Sequence, residues 1–277
     1  MATKKTYVIT GATSGIGYSL VEHLCKNNIV FLGYRNQEKL NDLGLQNCQN
    51  IHPFFIDMSN SNSIKSATDY ILNNTESIDT IINAAGCVIA GAVEDIDIKD
   101  IKYQFEVNTF AQLDFSKRLI SALKKGGKII NISSMASYGV FPFVSPYCAS
   151  KRALDILFNS LQTEFGNDIK IISIKPGVIA TPLWSKSIEA NKSRLLKNNK
   201  SKYEKEYQYL IKNAEDNEKN GINVEKVVKI ILKADNAKYP KSSYKIGFDA
   251  FLASILSIMP QEIINQILKI GLRLKIK

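Results

Sequence analysis

The amino-acid sequence predicts an α/β fold: a doubly wound parallel sheet of about seven strands with helices on both faces, plus a helical C-terminal extension. Short runs nearly continuous in Ile, Val and Phe recur along the chain, as expected of strands covered on both faces. Helix-length amphipathic segments separate them, and strand alternating with helix calls for parallel crossovers. A glycine turn, "TGATSGIG" (10–17), joins the first such run to the first helix-like segment.

"TYVIT" (6–10) reads as the first strand, followed by a helix from Gly15 to about Asn27. "IVFLGY" (29–34) is the second strand, with a short helix from about Gln37. "IHPFFI" (51–56) is the third, and "SNSNSIKSATDYILNN" opens with Ser and Asn, whose side chains accept from the free N–H groups of a helix start. "DTIINAA" (79–85) is the fourth, and a long helix is expected from about Ile98 to Leu123. "KIINIS" (128–133) is the fifth; Pro146 suits the first turn of a helix that continues to about Phe165. "IKIISI" (169–174) is the sixth. Beyond Pro176 the pattern changes. Residues 183–220 are mostly polar, rich in Lys and Asn, and read as a helical lid over the substrate. "VEKVVKIILKA" (224–234) is an amphipathic helix and "SYKIG" (243–247) a last strand; the 249–277 tail reads as two short helices split at Pro260. No linker-like stretch or repeat divides the 277 residues, and 45% hydrophobic content suffices for one large core, so 1–277 is read as a single domain.

Composition narrows the function. The net charge is +10, but Lys is spread along the chain together with Asn and Ile, and the densest basic stretch also carries acids, so no nucleic-acid partner is expected. "MATKKTYVITG" runs directly into an apolar strand, so no secretory leader is expected. No run approaches the roughly 18 apolar residues of a membrane span. Cys25, Cys48, Cys87 and Cys148 are scattered without a CxxC pair, which suggests buried thiols in a reducing cytoplasm and no metal site. His23 and His52 neighbour no nucleophile, so acid/base chemistry falls to other groups.

Two short stretches carry chemistry. In the first βα turn, Gly11, Gly15 and Gly17 let backbone approach a ligand, and a helix N-terminus there favours a pyrophosphate. In "YCASK" (147–151), Tyr147 and Lys151 lie one helical turn apart and share a face. A Lys beside a Tyr stabilises phenolate and lowers the phenol pKa from ~10. The same spacing also suits an aromatic ring packed on a lysine stem.

Together the motifs resemble the short-chain dehydrogenase/reductase family over about residues 6–182. They are T-G-x3-G-I-G at 10–17, "NAAG" (83–86) with Ala84 in place of the usual second Asn, and Asn108 in "EVNTF". They continue with Ser134 thirteen residues before Tyr147, the Y-x3-K pair itself, and "PGVIATP" with Pro176, Gly177 and Thr181. The resemblance implies a Rossmann-type oxidoreductase in which Tyr147 is the general acid/base and Lys151 supplies charge and binds the nicotinamide ribose. It implies that Ser134 stabilises the substrate oxygen, with Ser133 as the neighbouring alternative, and that Asn108 holds a water linking Lys151 to solvent. For the dinucleotide it implies contacts from Gly11, Thr13, Ser14, Gly15, Ile16 and Gly17. Further contacts fall to Asp57 and Met58 at the adenine, to Asn83, Ala84 and Gly86 at the adenosine ribose, and to Pro176, Gly177, Ile179 and Thr181 near the carboxamide. Tyr34 stands where an Asp would mark NAD, and Arg35 follows, so NADP(H) is the expected cofactor. Ser14 occupies a position where many NADP-dependent relatives carry a second cation, which leaves NAD(H) open.

"YGVFPFVSP", Leu183, Trp184 and the Leu195–Leu196 pair suggest a small hydrophobic carbonyl or alcohol substrate. The tail, with Gly-x-Asp-Ala, a Leu-rich helix and a Pro, looks like the C-termini of the retinol and hydroxysteroid dehydrogenase branch, which implies steroid-, retinoid- or long-chain-like substrates. The tail also ends in Lys269, Arg273, Lys275 and Lys277 beside Ile and Leu. A helix covering the cleft or a partner subunit is preferred there over peripheral membrane contact. Analogy with relatives implies a homodimer or homotetramer formed through the helices around 98–123 and 147–165. The competing readings are a 3-ketoacyl-thioester reductase and a dinucleotide-binding sensor. The intact Asn108, Ser134, Tyr147 and Lys151 set argues against a sensor.

Overall fold

The structure, a computed structural model, describes residues 4–45, 48–197 and 202–276, with 192–197 and 272–276 described by their backbone alone. Seven strands form one parallel sheet in the order β3-β2-β1-β4-β5-β6-β7. They are β1 (Thr6–Thr10), β2 (Ile29–Tyr34), β3 (Ile51–Phe55), β4 (Ile78–Asn83), β5 (Leu123–Ile132), β6 (Ile169–Pro176) and β7 (Ser243–Ile246). The order reverses between β1 and β4, and the crevice outside the strands' C-terminal ends at that switch is where α/β sheets take ligands.

Strand alternation divides the core into two layers. Val8, Phe31, Ile81, Ile129 and Ile171 face one side, and their neighbours Ile9, Leu32, Ile82, Ile130 and Ile172 face the other. The first layer packs on α3 (Ser61–Asn74), α5 (Ala111–Leu119) and α6 (Ser145–Phe165); the second packs on α1 (Gly15–Leu24) and α9 (Val224–Asn236). At the opposite edge from the crevice, buried Asp235 accepts hydrogen bonds from Tyr7 Oη (2.8 Å) and Thr80 Oγ1 (2.6 Å) and pairs with Lys5 (3.0 Å). The charge is thus matched by three donors, as a buried carboxylate requires.

Two expectations fail locally. The continuous helix over 98–123 is α4 (Ile98–Phe105), a π turn (Glu106–Phe110), α5 and a 3₁₀ turn (Ile120–Ala122), after which β5 begins at Leu123. Three side-chain amides on this stretch account for the departure. Gln104 Oε1 accepts from the Ile89 N–H; Asn108 accepts from the Cys87 N–H and donates to its carbonyl (both 2.9 Å); Gln112 donates to the Ala85 carbonyl (2.9 Å). They satisfy the backbone of the segment after β4, and Gln112 also donates to the Val107 carbonyl inside the π turn (3.1 Å). The tail is α10 (Phe248–Leu256) and α11 (Gln261–Ile276), and α11 runs sixteen residues rather than forming a short helix. α7 (Leu183–Lys197) and α8 (Glu204–Asn220) occupy the expected lid segment.

Candidate active site

A cleft of about 560 Å³ opens at the C-terminal ends of the central strands. At its floor Gly11 adopts φ +64°, and a Cβ there would lie 2.7 Å from Ala85 backbone, so only glycine lets the first turn pass this close to the β4 loop. Thr10 Oγ1 ties the two turns together by accepting from the Ala84 and Ala85 N–H groups (3.2 and 3.3 Å). α1 starts beside them with no acid in its first turn, and the Ser14 side chain makes no capping bond. Its first amides and dipole therefore face the cleft, where a phosphate would complete them.

α6 delivers the reactive side chains. Tyr147, Lys151 and Asp155 succeed one another at one-turn intervals, all buried. Lys151 Nζ donates to the Ile132 carbonyl (2.8 Å) and stands 5.9 Å from the Tyr147 ring centre. Asp155 pairs with Lys175 (2.7 Å) and accepts from Ser173 Oγ (3.0 Å), holding a buried carboxylate below Lys151. Ser134 lies at the end of β5 in extended backbone, and its Oγ accepts from the Ala136 N–H (3.1 Å). That bond leaves the Ser134 hydroxyl proton to donate to Tyr147, and the contact stabilises phenolate. Ser133 Oγ also borders the cleft and has no hydrogen-bond partner among the described residues.

The expected low phenol pKa is not what these residues produce. Burial pushes Tyr147 up to about 12, with the Ser134 hydrogen bond opposing. Lys151 does not reverse this. Its own ammonium is desolvated and falls to about 8, against the favourable field of Asp155.

At the other end of the cleft three cations converge. Arg35 ends the β2 turn, Lys39 lies in α2 (Gln37–Asp42) and Lys186 comes from α7. Burial first, then Lys39 and Arg35, pull the Lys186 ammonium below its ordinary value, with Glu218 opposing. Lys39 and Lys186 were not singled out from sequence, and they lie far apart along the chain.

The substrate end is apolar. Tyr147 packs with Val88, Ala136 and Cys148, flanked by Phe141, Val144, Leu183 and Trp184. Of the lid segment, α7 borders the cleft and α8 does not. Ser187 Oγ anchors α7 by donating to the Val88 carbonyl (2.8 Å). α8 packs behind, where Tyr207 sits between the Ala92 N–H (3.1 Å), Asp95 and the ring of Phe143. The side chains of Leu195 and Leu196 lie outside the described residues. Among the described residues no part of the tail borders the cleft.

Of the catalytic and cofactor residues predicted from sequence, all but three line this one cleft; of the apolar substrate candidates Leu183 and Trp184 line it, and residues 138–146 do not. Asn83 donates behind the sheet to Ser116 and Asn131 (2.9 and 2.8 Å). Asn108 is fully buried, and its amide bonds Cys87 and Ser150 (3.1 Å), so its side chain ties the β4 loop to α6. Asp57 Oδ1 accepts from the N–H and hydroxyl of Ser59 (2.9 and 2.8 Å), which makes it a turn residue in this arrangement. The cysteines also depart from expectation: Cys148 is buried but Cys48 is exposed. Both histidines have structural partners, His23 at Glu225 and His52 on Phe31.

Comparison with known proteins agrees with this geometry. Residues 5–192 match the family profile described as short chain dehydrogenase. The chain is 29% identical over 252 residues to the NADPH-dependent 3-dehydrocapnine reductase of Ornithobacterium rhinotracheale, covering 87% of each chain. It is 27% identical over 268 residues to the 3-ketodihydrosphingosine reductase of Bacteroides thetaiotaomicron, covering 95% of this chain and 96% of that one. A short chain dehydrogenase/reductase from Burkholderia phymatum, solved in complex with NAD, superposes with a TM-score of 0.77 at 19% identity, covering 95% of each chain. With the glycine turn, the Ser–Tyr–Lys set and the parallel sheet order all in one chain, and the family profile matching residues 5–192, this protein belongs to the short chain dehydrogenase family of oxidoreductases.

Proposed function

We propose that this protein is an NADP(H)-dependent oxidoreductase that interconverts a hydrophobic carbonyl compound and its alcohol, with Tyr147 as general acid/base. The convergence of Ser134, Tyr147 and Lys151 beside an apolar pocket, at the mouth of a glycine-floored cleft, carries this reading. The cleft fits a dinucleotide in its own terms: a glycine crossing, an uncapped α1 N-terminus and a three-cation end. A bound nicotinamide would supply or accept the hydride.

The chain's residues divide the remaining work. In reduction, the Tyr147 hydroxyl gives its proton to the carbonyl oxygen as charge develops there. The Ser134 hydroxyl, already oriented by Ala136, donates to the same oxygen. Lys151 holds positive charge behind the phenol and faces the ribose side of the cleft. Asp155 and the Ile132 carbonyl keep that ammonium in place. Burial keeps the Tyr147 phenol protonated near neutrality, the form that gives a proton to a carbonyl oxygen.

Arg35, Lys39 and Lys186 support NADP(H) over NAD(H), because the two cofactors differ by a phosphate on the adenosine ribose and this end of the cleft gathers positive charge. The two relatives described above are named for reducing 3-dehydro and 3-keto compounds, and one name specifies NADPH. With the apolar lining, this favours a ketone on a long hydrocarbon chain. Exposed Ile98, Phe110 and Ile156 on α4, the π turn and α6 suit a homodimer or homotetramer, and a cytoplasmic location is proposed with it.

NADPH oxidation measured by absorbance against long-chain keto, steroid, retinoid and 3-ketoacyl substrates tests the proposal. Turnover that drops by at least ~10³-fold in Tyr147→Phe is expected. Turnover that survives this substitution would remove Tyr147 from the chemistry.

A further inference from the structure

α10 is turned inside out for a helix of a soluble domain. The residues it buries are small, Ala250 and Ala253, while Phe248, Phe251, Leu252 and Ile255 project outward at i, i+3, i+4 and i+7. Phe248 is 78% exposed, and Ile258, just beyond the helix, is 84% exposed. α11 extends the same character. Ile263, Ile267 and Ile270 are exposed, Ile264 and Leu268 are half-buried, and none of its described residues is buried. Both tail helices thus turn large apolar side chains to solvent, the kind of exposed surface that marks an interaction site.

Charge selects the occupant. From Ala250 onward the sequence has one acid, Glu262, against Lys269, Arg273, Lys275 and Lys277. Lys245 adds a cation at the edge of the patch, its Nζ 5.6 Å from the Phe251 ring centre and bonded to Ser254. A second copy meeting this face would bring like charges together. An anionic surface would be complemented by them, and an amphipathic helix rich in Ile and Leu with basic flanks lies stably in a lipid headgroup boundary. Among the described residues no helix is long and apolar enough to cross a membrane, so the contact would be peripheral.

We propose that α10 and α11 form a docking face for an anionic phospholipid bilayer. The helices are well placed to report that contact. α10 packs on the Met135–Tyr138 turn that follows Ser134, and α11 touches α8. The proposal stands apart from the reductase reading, since its test needs no substrate.

Flotation of the full chain with phosphatidylcholine vesicles, and with vesicles of equal parts phosphatidylcholine and phosphatidylglycerol, is the test. The chain should float with the mixed vesicles and at least ~10-fold less with neutral ones. Ile258→Glu combined with Ile267→Glu should cut the bound fraction at least ~10-fold. Both sites are exposed and outside the cleft, so the melting temperature and NADPH affinity should not change. Equal flotation with both vesicles, or none with either, would overturn the proposal. So would a wild-type dimer without flotation that the double variant converts to monomer, because the face would then be a self-interface.

Discussion

Arg35→Ala should separate the two nicotinamide cofactors. A charge-assisted contact is worth ~1.5–3 kcal/mol. Arg35 is exposed, with Tyr103 Oη its near neighbour at 3.4 Å, so solvent screening puts the value at the lower end. About 1.4 kcal/mol is a tenfold change, so NADPH affinity should fall ~10-fold. Lys39 and Lys186 are also exposed, and each contributes at the scale of a surface ion pair, ~0.2–1 kcal/mol, or up to ~5-fold. NADH has no phosphate for any of the three, and its affinity should change less than ~2-fold in every variant. Fluorescence titration of both reduced cofactors against wild type, Arg35→Ala, Lys39→Ala and Lys186→Ala gives the comparison. The Lys186 effect should shrink at high salt, since its contribution acts through a screened field. Equal losses of NADPH and NADH affinity in Arg35→Ala would refute the reasoning, because the residue would then bind something both cofactors share.

Reduction should proceed at a constant rate below pH ~8 and slow above it, as Lys151 loses its proton at about 8. A profile flat to pH ~10 would take charge on Lys151 out of the mechanism. The same depressed pKa has a stability consequence. Between about 8 and the ordinary 10.5 the unfolded chain holds the Lys151 proton and the folded chain does not, so this group's contribution to stability rises with pH through that window. The stability of Lys151→Met relative to wild type should therefore fall, by up to ~3 kcal/mol, as pH rises from 7 to 10.5 in denaturant melts. Gly177→Ala places a Cβ 1.9 Å from Asp249 Oδ1 and displaces the carboxylate that accepts from the Val178 N–H (2.8 Å). It should cost at least ~2 kcal/mol, and Asp249→Ala added to it should cost less than the two single losses combined.

β1 and β2 were legible to the residue because their apolar runs are bounded by polar or glycine-containing stretches that cannot continue a strand. The helix over 98–123 was misread for an equally physical reason. The apolar period shows which face is buried, not that the buried face also carries Gln104, Asn108 and Gln112 to satisfy a distant loop. Three amides four residues apart were the available signal. The convergence of Ser134, Tyr147 and Lys151 on the cleft was legible because their spacing lies within one helix and one strand end. Asn83 and Asp57 illustrate the limit: a motif gives a position next to the cleft, while the direction of the side chain depends on partners such as Ser116, Asn131 and Ser59. Lys39 and Lys186 meet only in the tertiary fold. The Tyr147 pKa was misjudged because adjacency to Lys151 is visible in sequence and desolvation of both groups is not.

Asp249 gives the site an order of assembly. Its carboxylate occupies the space beside Gly177 and holds the Val178 N–H, in a turn that lines the cleft. On the ribosome, every residue that lines that cleft, from Gly11 to Asn191, is synthesised before Asp249. The nascent chain can therefore lay down the sheet from β1 to β6 and still lack the group that secures the Pro176–Gly177 turn. Completion of the cleft becomes a late event in the life of each molecule, and a ribosome stalled between residues 191 and 249 would hold a nearly finished sheet with an unsecured site.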